Sequence, residues 1–337
     1  MSEVAPLPTV LDVDTGIDDA LALLLALRSP ELEVLGVTCV AGNVTLDQVV
    51  RNTLGVLAVA QAHDVPVAAG AAGPLVRRLT TATFFHGADG IGGVPLPPAT
   101  SGPTGEAAAV LLCRLAREYA GRLNLVAVGP LTNVALACRL DHGFAGRLSR
   151  LVVMGGAAAV PGNVTPAAEA NFFNDPEAAG IVFGAGADLT MIGLDVTLRA
   201  LFEAQRYHLL RGAVAASADP VARFAYAVLE RYLAADVAAG LEGSPLHDPL
   251  AVAALARPEL VTCRRVRVEI ETEGRLTAGQ SVANVAGIVE RLVSRGAHDD
   301  VVGLDRPEPN CRVALDVATA AFVDLFCARL GLVAARP

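Results

Sequence analysis

The segment Asp12-Val13-Asp14-Thr15-Gly16-Ile17-Asp18-Asp19 places four carboxylates within eight residues, directly after an apolar run and directly before an Ala/Leu-rich one. If the first run is a strand and the second a helix, Asp14, Asp18 and Asp19 crowd the turn between them. Like charges at such range repel strongly in a cleft of low effective dielectric unless a cation or strong donors offset them. The first turn of a helix helps through its dipole and its free N–H groups. A hard divalent cation does far more, and oxygen ligands with no Cys or His beside them select Ca²⁺ or Mg²⁺. A helix cap accounts for Asp18 or Asp19 taken singly. It leaves Asp14 unexplained, because a carboxylate ending a buried strand has nothing to cap, so the metal reading is placed first.

Further polar islands interrupt apolar surroundings. Val40-Ala41-Gly42-Asn43 closes a second apolar run, and an Asn there both donates and accepts, as a sugar hydroxyl requires, although Asn after Gly is also ordinary turn chemistry. Phe85-His86-Gly87-Ala88-Asp89-Gly90-Ile91-Gly92-Gly93 is a glycine-rich loop with one imidazole and one acid. Gly129-Pro130-Leu131-Thr132-Asn133 opens a helix; its side chains suit capping, and its carbonyls are free to face a cation. The densest island, Gly162-Asn163 through Glu169 to Asn171, sets two amides and a carboxylate where they can read several hydroxyls of one polar ligand. Leu246-His247-Asp248-Pro249 puts an imidazole beside a carboxylate at a helix start.

Elements that would position these groups are legible. Val/Ile/Leu-rich runs at Thr9 to Asp14, Glu33 to Val40, Val65 to Ala69, Leu123 to Val128, Leu151 to Met154 and Leu189 to Leu194 read as strands. Helical segments at Asp18 to Leu27, Leu46 to Ala62, Glu106 to Tyr119, Pro176 to Phe183 and Asp219 to Ala235 alternate with them. This predicts an α/β fold with a mostly parallel, Rossmann-like central sheet flanked by helices on both faces. Alternation from Cys263 to Thr272, with a turn at Glu273-Gly274, predicts an appended C-terminal hairpin. No repeat or charged linker divides the 337 residues, which read as one domain.

Composition excludes much. Apolar types make up 53% of the chain and charged types 18%, which favours a packed globule over disorder. Net charge is −9 and every cation is arginine, so nucleic acid is not an expected partner and no lysine chemistry is available. The six cysteines are scattered without a C-x-x-C pair, so neither zinc nor a disulfide framework is expected. No membrane partner is expected, since the long uncharged stretches carry Gly, Pro and Asn. Met1 to Pro8 lacks a charged-then-apolar leader pattern, which gives a cytoplasmic expectation.

Taken in order, the aspartate turn, Ala41-Gly42-Asn43, His86-Gly87, Gly129 to Asn133, Met154-Gly155-Gly156, Gly162-Asn163 through Asn171, Asp175-Pro176-Glu177-Ala178-Ala179 and Leu246 to Pro249 resemble the motifs of the inosine–uridine-preferring nucleoside hydrolases. The likeness is clearest over about residues 9 to 255. It implies Ca²⁺-dependent hydrolysis of the N-glycosidic bond of ribonucleosides to free base and ribose, by attack of a water that the metal holds. It implies Asp14, Asp19, the Thr132 carbonyl and Asp248 as metal ligands, with Asp14 also the general base. Asp18, Asn43 and Asn171 would bind the 2′ and 3′ hydroxyls, Asn163 and Glu169 the 5′ hydroxyl, and Met154 would line the sugar pocket. His247 is the expected acid for the departing base, and His86 an expected base contact. Such a pocket suits the reaction, because carboxylates stabilise the positive charge that builds on the ribose. The family is commonly dimeric or tetrameric, so a homo-oligomer is expected.

Two positions depart from the family pattern. Thr15 stands where proline is usual, and the chain has no tryptophan, the residue on which the purine-specific branch stacks its base. Pyrimidine or broad specificity follows as the expectation, with Tyr226 and Tyr232 available to the base or to helix packing.

Two rivals are carried forward. Asp12-x-Asp14-x-Gly also looks like the nucleophile loop of haloacid-dehalogenase-like phosphatases, with Asp12 as nucleophile and Asp299-Asp300 as metal carboxylates, although that family's basic residue is usually lysine. The other is a non-catalytic, calcium-stabilised nucleoside-binding protein on the same fold.

Overall fold

A computed structural model describes residues 5–295 and 308–333. An eight-stranded sheet organises them. Its first three strands, β1 (Leu7–Val13), β2 (Leu32–Cys39) and β3 (Val67–Ala69), run parallel to one another, with β1 innermost. On the other side of β1 come β4 (Leu123–Ala127), β5 (Leu148–Met154) and β6 (Leu189–Ile192), all parallel. The spatial order 3-2-1-4-5-6 reverses at β1 and β4, and in open α/β sheets the carboxyl ends at such a reversal form the ligand crevice. The aspartate turn leaves β1 at that point.

Alternate residues along the central strands face opposite cores. Leu11, Val13, Val126 and Val128 join one apolar cluster, whereas Val10, Leu125 and Ala127 join the other. The first cluster is covered by α1 (Ile17–Leu27) and α2 (Leu46–Val59), and the short α3 (Thr83–His86) lies beside it. The second is covered by α4 (Ala108–Glu118) and α5 (Thr132–Leu140) with the short α6 (Phe144–Arg147). Two further helices, α7 (Ala170–Asn174) and α8 (Pro176–Phe183), precede β6, and α9 (Leu194–Thr197) follows it. Apart from its two acids α1 is apolar all round, and Ile17 to Ala26 are buried; a helix of that composition must be enclosed. Enclosure comes from α11 (Pro220–Ala238) and α12 (His247–Ala256), the latter packed along α1. Between α9 and α12 the chain forms a small ribbon, β7 (Leu201–Glu203) with β8 (Gly243–Pro245), and the helix α10 (Ala204–Ala216).

The expected C-terminal hairpin is present as antiparallel strands, but shorter than the alternating stretch that announced it. That stretch is split: β9 (Val261–Val266) joins the main sheet, whereas β10 (Val268–Ile270) pairs with β11 (Ser281–Ala283) as a separate antiparallel ribbon across the loop that holds Glu273-Gly274. After α13 (Ile288–Val293), β12 (Cys311–Val317) inserts between β6 and β9, parallel to the first and antiparallel to the second, and α14 (Thr319–Arg329) closes the described chain. Long-range pairing decided this, and local alternation carries no information about which strand will intervene. Asp299-Asp300 lie outside the described residues. No helix among the described residues is long and apolar enough to cross a membrane.

Candidate active site

A cavity of about 270 Å³ opens at the carboxyl ends of the central strands. Asp18, Asn43, His86, Met154, Asn163, Glu169, Asn171, His247 and Asp248 all line it, so nine of the residues expected from the sequence meet in one place. Asp14, Asp19 and Thr132 lie buried beneath that lining. They come from seven separate stretches of chain.

The acidic turn is held by its own backbone. Asp19 accepts from the N–H of Gly16 (2.8 Å) and of Asp14 (3.1 Å), closing the turn and covering the amide of the α1 N-cap together with that of the residue after β1. Asp14 Oδ2 accepts from the N–H of Asn43 (2.7 Å), and the Asn43 amide donates to Asp19 Oδ2 (3.1 Å), which ties the end of β2 to the same cluster. Thr15, in place of the usual proline, is fully buried and its hydroxyl meets that of Thr53 at 2.6 Å, while Asn52 donates to the carbonyls of Thr15 and Asp89. The turn is thus braced from α2 and from the glycine-rich loop.

Asp18, Asp19 and Asp248 bring one carboxylate oxygen each within 4.8 Å of one another. Asp14 stands outside that trio but feels the charge of Asp19 and Asp18. Burial drives all four up, and like charge adds to it, from Asp236 for Asp18 and from within the cluster for the others: Asp18 and Asp19 to about 6, Asp14 and Asp248 well above the ordinary carboxylate range. Asp18 Oδ1 is buried with no hydrogen-bond partner. Four buried acids with a donor set made only of oxygen fit a hard divalent cation, which removes both the repulsion and the orphaned atom. Thr132 turns its hydroxyl to Asp175 (2.6 Å), so the ligand atom expected of it, the carbonyl, does not compete with a side-chain role. Asp175 also caps α8 through the N–H of Ala178 and takes the N–H of Leu75, which anchors this wall.

Around the cavity the amides are oriented by inward bonds. Asn171 Nδ2 donates to the carbonyls of Val128 (2.7 Å) and Met154 (3.1 Å), so Oδ1 is the atom left to meet a ligand. Asn163 accepts from the N–H of Ala170. Glu169 caps α7, accepting from Asn171, Phe172 and Gly156 N–H groups, a structural task the sequence reading did not assign to it. Both histidines are neutral near pH 7. Burial pushes His86 and His247 down to about 4, and His247 Nδ1 bonds the Thr197 hydroxyl at 2.8 Å.

The structure separates the two tyrosines that the sequence left open and adds one residue that it missed. Tyr232 is fully buried, lines the cavity and donates to the Pro245 carbonyl, whereas Tyr226 stacks on Tyr207 at 4.2 Å and is a packing residue. Asp236, one turn beyond Tyr232, also lines the cavity. The available signal was a lone acid four residues after a Tyr on an apolar helical stripe. Asp12 is fully buried beneath the site, accepting from Thr38 and Asn133, and does not line the cavity. A nucleophile must reach its substrate, so the phosphatase reading of Asp12 is set aside; the strand's alternation turns that carboxylate into the structure.

Comparison with known proteins gives one consistent result. Residues 9–324 match the model of the inosine-uridine preferring nucleoside hydrolase family. A pyrimidine-specific ribonucleoside hydrolase RihA from Salmonella gallinarum is 39% identical over 96% of this chain and 98% of its own length. Among solved structures, a plant nucleoside hydrolase, PpNRh1, superposes with a TM-score of 0.87 at 33% identity, covering 96% of this chain and 99% of its own. A purine-preferring ribonucleoside hydrolase from Gardnerella vaginalis gives 0.85 at 33% identity, covering 96% and 98%.

Proposed function

Because the chain belongs to the inosine-uridine preferring nucleoside hydrolases, glycosidases that act on N-glycosyl compounds, we propose that it is a Ca²⁺-dependent enzyme cleaving pyrimidine ribonucleosides to free base and ribose. One observation carries the reading of the site: four buried, mutually repelling carboxylates lie against a cavity whose other walls carry amides fit for sugar hydroxyls. Similarity to relatives named as pyrimidine-specific, and the absence of tryptophan, support the choice of base.

In this reading Asp14, Asp19 and Asp248, with the Thr132 carbonyl, hold the cation. The closeness of Asp18 to that set is what one carboxylate serving both cation and sugar would require. When bound, the cation neutralises the cluster and makes a water molecule modestly more acidic. Asp14 takes the proton of the attacking water, whose oxygen bonds to C1′ as the bond from C1′ to the base nitrogen breaks. Asp18, Asn43 and Asn171 hold the 2′ and 3′ hydroxyls, Asn163 and Glu169 the 5′ hydroxyl, and Met154 packs against the sugar. Glu169 retains acceptor capacity beyond its three backbone donors, since an ionised carboxylate offers about four lone-pair sites. The ring of acids stabilises the positive ribose. His247, the acid of this reading, passes a proton to the departing base nitrogen and regains one from solvent, and His86 contacts the base. As a neutral group in the free enzyme, His247 supplies a hydrogen bond first and not a positive charge. A single catalytic domain and a cytoplasmic homo-oligomer, dimer or tetramer, belong to the same reading on the strength of the resemblance.

The test is a panel of nucleosides and phosphate esters incubated with Ca²⁺ or with chelator, the products resolved chromatographically. Free pyrimidine base formed without added phosphate, and lost with chelator, is the expected result. Binding without turnover would favour the nucleoside-binding protein instead.

A further inference from the structure

The buried face of α11 runs Phe224, Ala225, Val228, Leu229, Tyr232, Leu233, Asp236. Asp236 ends this apolar stripe where the helix reaches the cavity. It is 5% exposed; burial raises its carboxyl and the nearby Ser244 hydroxyl offsets this in part, yet its Oδ2 has no well-formed hydrogen bond, and it forms no ion pair among the described residues. Isolating a carboxylate oxygen in this way is costly and calls for a donor supplied from elsewhere.

The position of that oxygen limits what the donor can be. The groups suited to ribose hydroxyls stand on the sheet side, at the ends of β1, β2 and β5 and on α7. Asp236 stands on the helical wall, close enough to Asp18 for their charges to interact. Its carbonyl accepts from the N–H of Leu241, and Leu241 and Phe84 are exposed apolar residues at the cavity mouth (41% and 86% exposed). A ribose seated on the acidic floor therefore directs its base toward apolar surfaces with one acceptor beside them. That combination suits a flat ring with an N–H on its edge.

Building on the nucleoside-hydrolase reading, we propose that Asp236 is a specificity residue whose carboxylate accepts a hydrogen bond from the outer edge of the pyrimidine, N3–H of uracil or the amino N–H of cytosine. Ser244, buried and with its hydroxyl near enough to Asp236 to favour the charged carboxylate, is the neighbour that would make Asp236 merely structural.

The experiment measures kcat/KM of the full-length enzyme, with Ca²⁺, on uridine against 3-methyluridine and on cytidine against N4,N4-dimethylcytidine. Wild type, Asp236→Leu and Ser244→Ala are compared. The wild type is expected to favour the unmethylated partner of each pair by about ten- to hundred-fold, the range of a lost charged hydrogen bond. Asp236→Leu, of similar bulk but with no acceptor, is expected to lower that preference at least about tenfold, while Ser244→Ala keeps it. Both members of a pair are measured on one preparation, so partial unfolding cancels from the ratio. A preference unchanged in Asp236→Leu, or lost equally in Ser244→Ala, overturns the proposal. If no nucleoside and no 4-nitrophenyl riboside is cleaved by the wild type, the hydrolase reading fails with it; cleavage with unaltered ratios defeats the role of Asp236 alone.

Discussion

The backbone N–H of Ile17, the first residue of α1, donates to Nδ1 of His86 at 3.2 Å. That bond makes Nδ1 an acceptor and leaves the ring hydrogen on Nε2. Burial in the same place pushes His86 down to about 4, with only Asp19 pulling the other way. In the metal-free enzyme the imidazole is therefore expected to remain neutral, with its proton on Nε2, down to about pH 5. Nitrogen chemical shifts of labelled histidine over a pH series check this, and a protonation midpoint near 6.5 would contradict it.

Asp14 is confined by two glycines. A Cβ on Gly42 would stand 2.1 Å from its Oδ2, and one on Gly129 would stand 2.8 Å from its Oδ1. Gly42→Ala must therefore displace the carboxylate. Both Gly42→Ala and Asp14→Asn are expected to reduce kcat by about 10²–10⁴-fold, the usual contribution of a general base. Steady-state kinetics with saturating Ca²⁺ would decide, and a Gly42→Ala enzyme within a few-fold of wild type would show that Asp14 need not sit where it does.

Raised acids make the metal-free protein respond to pH in a definite direction. Asp18 and Asp19 titrate at about 6 when folded against an ordinary 3.8, so between those values the native state binds more protons than the unfolded chain. Stability therefore falls as pH rises through this window. In chelator, wild type should gain melting temperature from pH 7 to pH 5 relative to Asp19→Asn, which carries one fewer of these groups. A wild-type curve that tracks the variant's would refute the assignment.

Calcium should act in the opposite sense. At 100 times its dissociation constant a ligand specific for the native state adds about 2.7 kcal/mol. For a chain of 337 residues that corresponds to roughly 4 °C in melting temperature. Thermal scans at pH 7.5 with and without Ca²⁺ measure it, and the shift should disappear in Asp248→Asn. An equal shift in that variant would place the ion elsewhere.

Far from the site, Asp219 caps α11 through the N–H of Val221 and pairs in two-pronged fashion with Arg28 at the end of α1 (2.6 and 2.7 Å). Although burial opposes it, the Arg28 guanidinium beside Asp219 holds its carboxyl below the usual range. A depressed acid contributes stability above its unfolded pKa and loses it as pH falls through the folded one. Asp219→Ala is expected to cost about 1–2 kcal/mol at pH 7, from the cap and a half-exposed ion pair. The deficit should vanish toward pH 2. Urea unfolding at both pH values tests this, and a deficit independent of pH would exclude the carboxylate as its source.

What the sequence determined by itself is what short-range chemistry can encode. Runs of Val, Ile and Leu alternating with Ala/Leu segments specify βαβ units, and Pro176–Phe183 was readable to the residue because Asp175 caps it and proline starts it. The acidic turn was legible because β1, the turn and α1 are contiguous. Asn43, Asn163 and Asn171 stood out as amides in apolar or glycine-rich surroundings. Tertiary structure alone decided the rest. Only folding brings Asp248 from α12 against Asp18 and Asp19, since the packing of α12 along α1 is a contact between helices far apart in the chain. Asp236 looks like any solvated acid until α11 buries its face, and β12 enters the sheet ahead of β9 without a local signal. Local periodicity chooses an element and its buried side, whereas which elements meet, and so which carboxylates repel, depends on packing that no short window of residues contains.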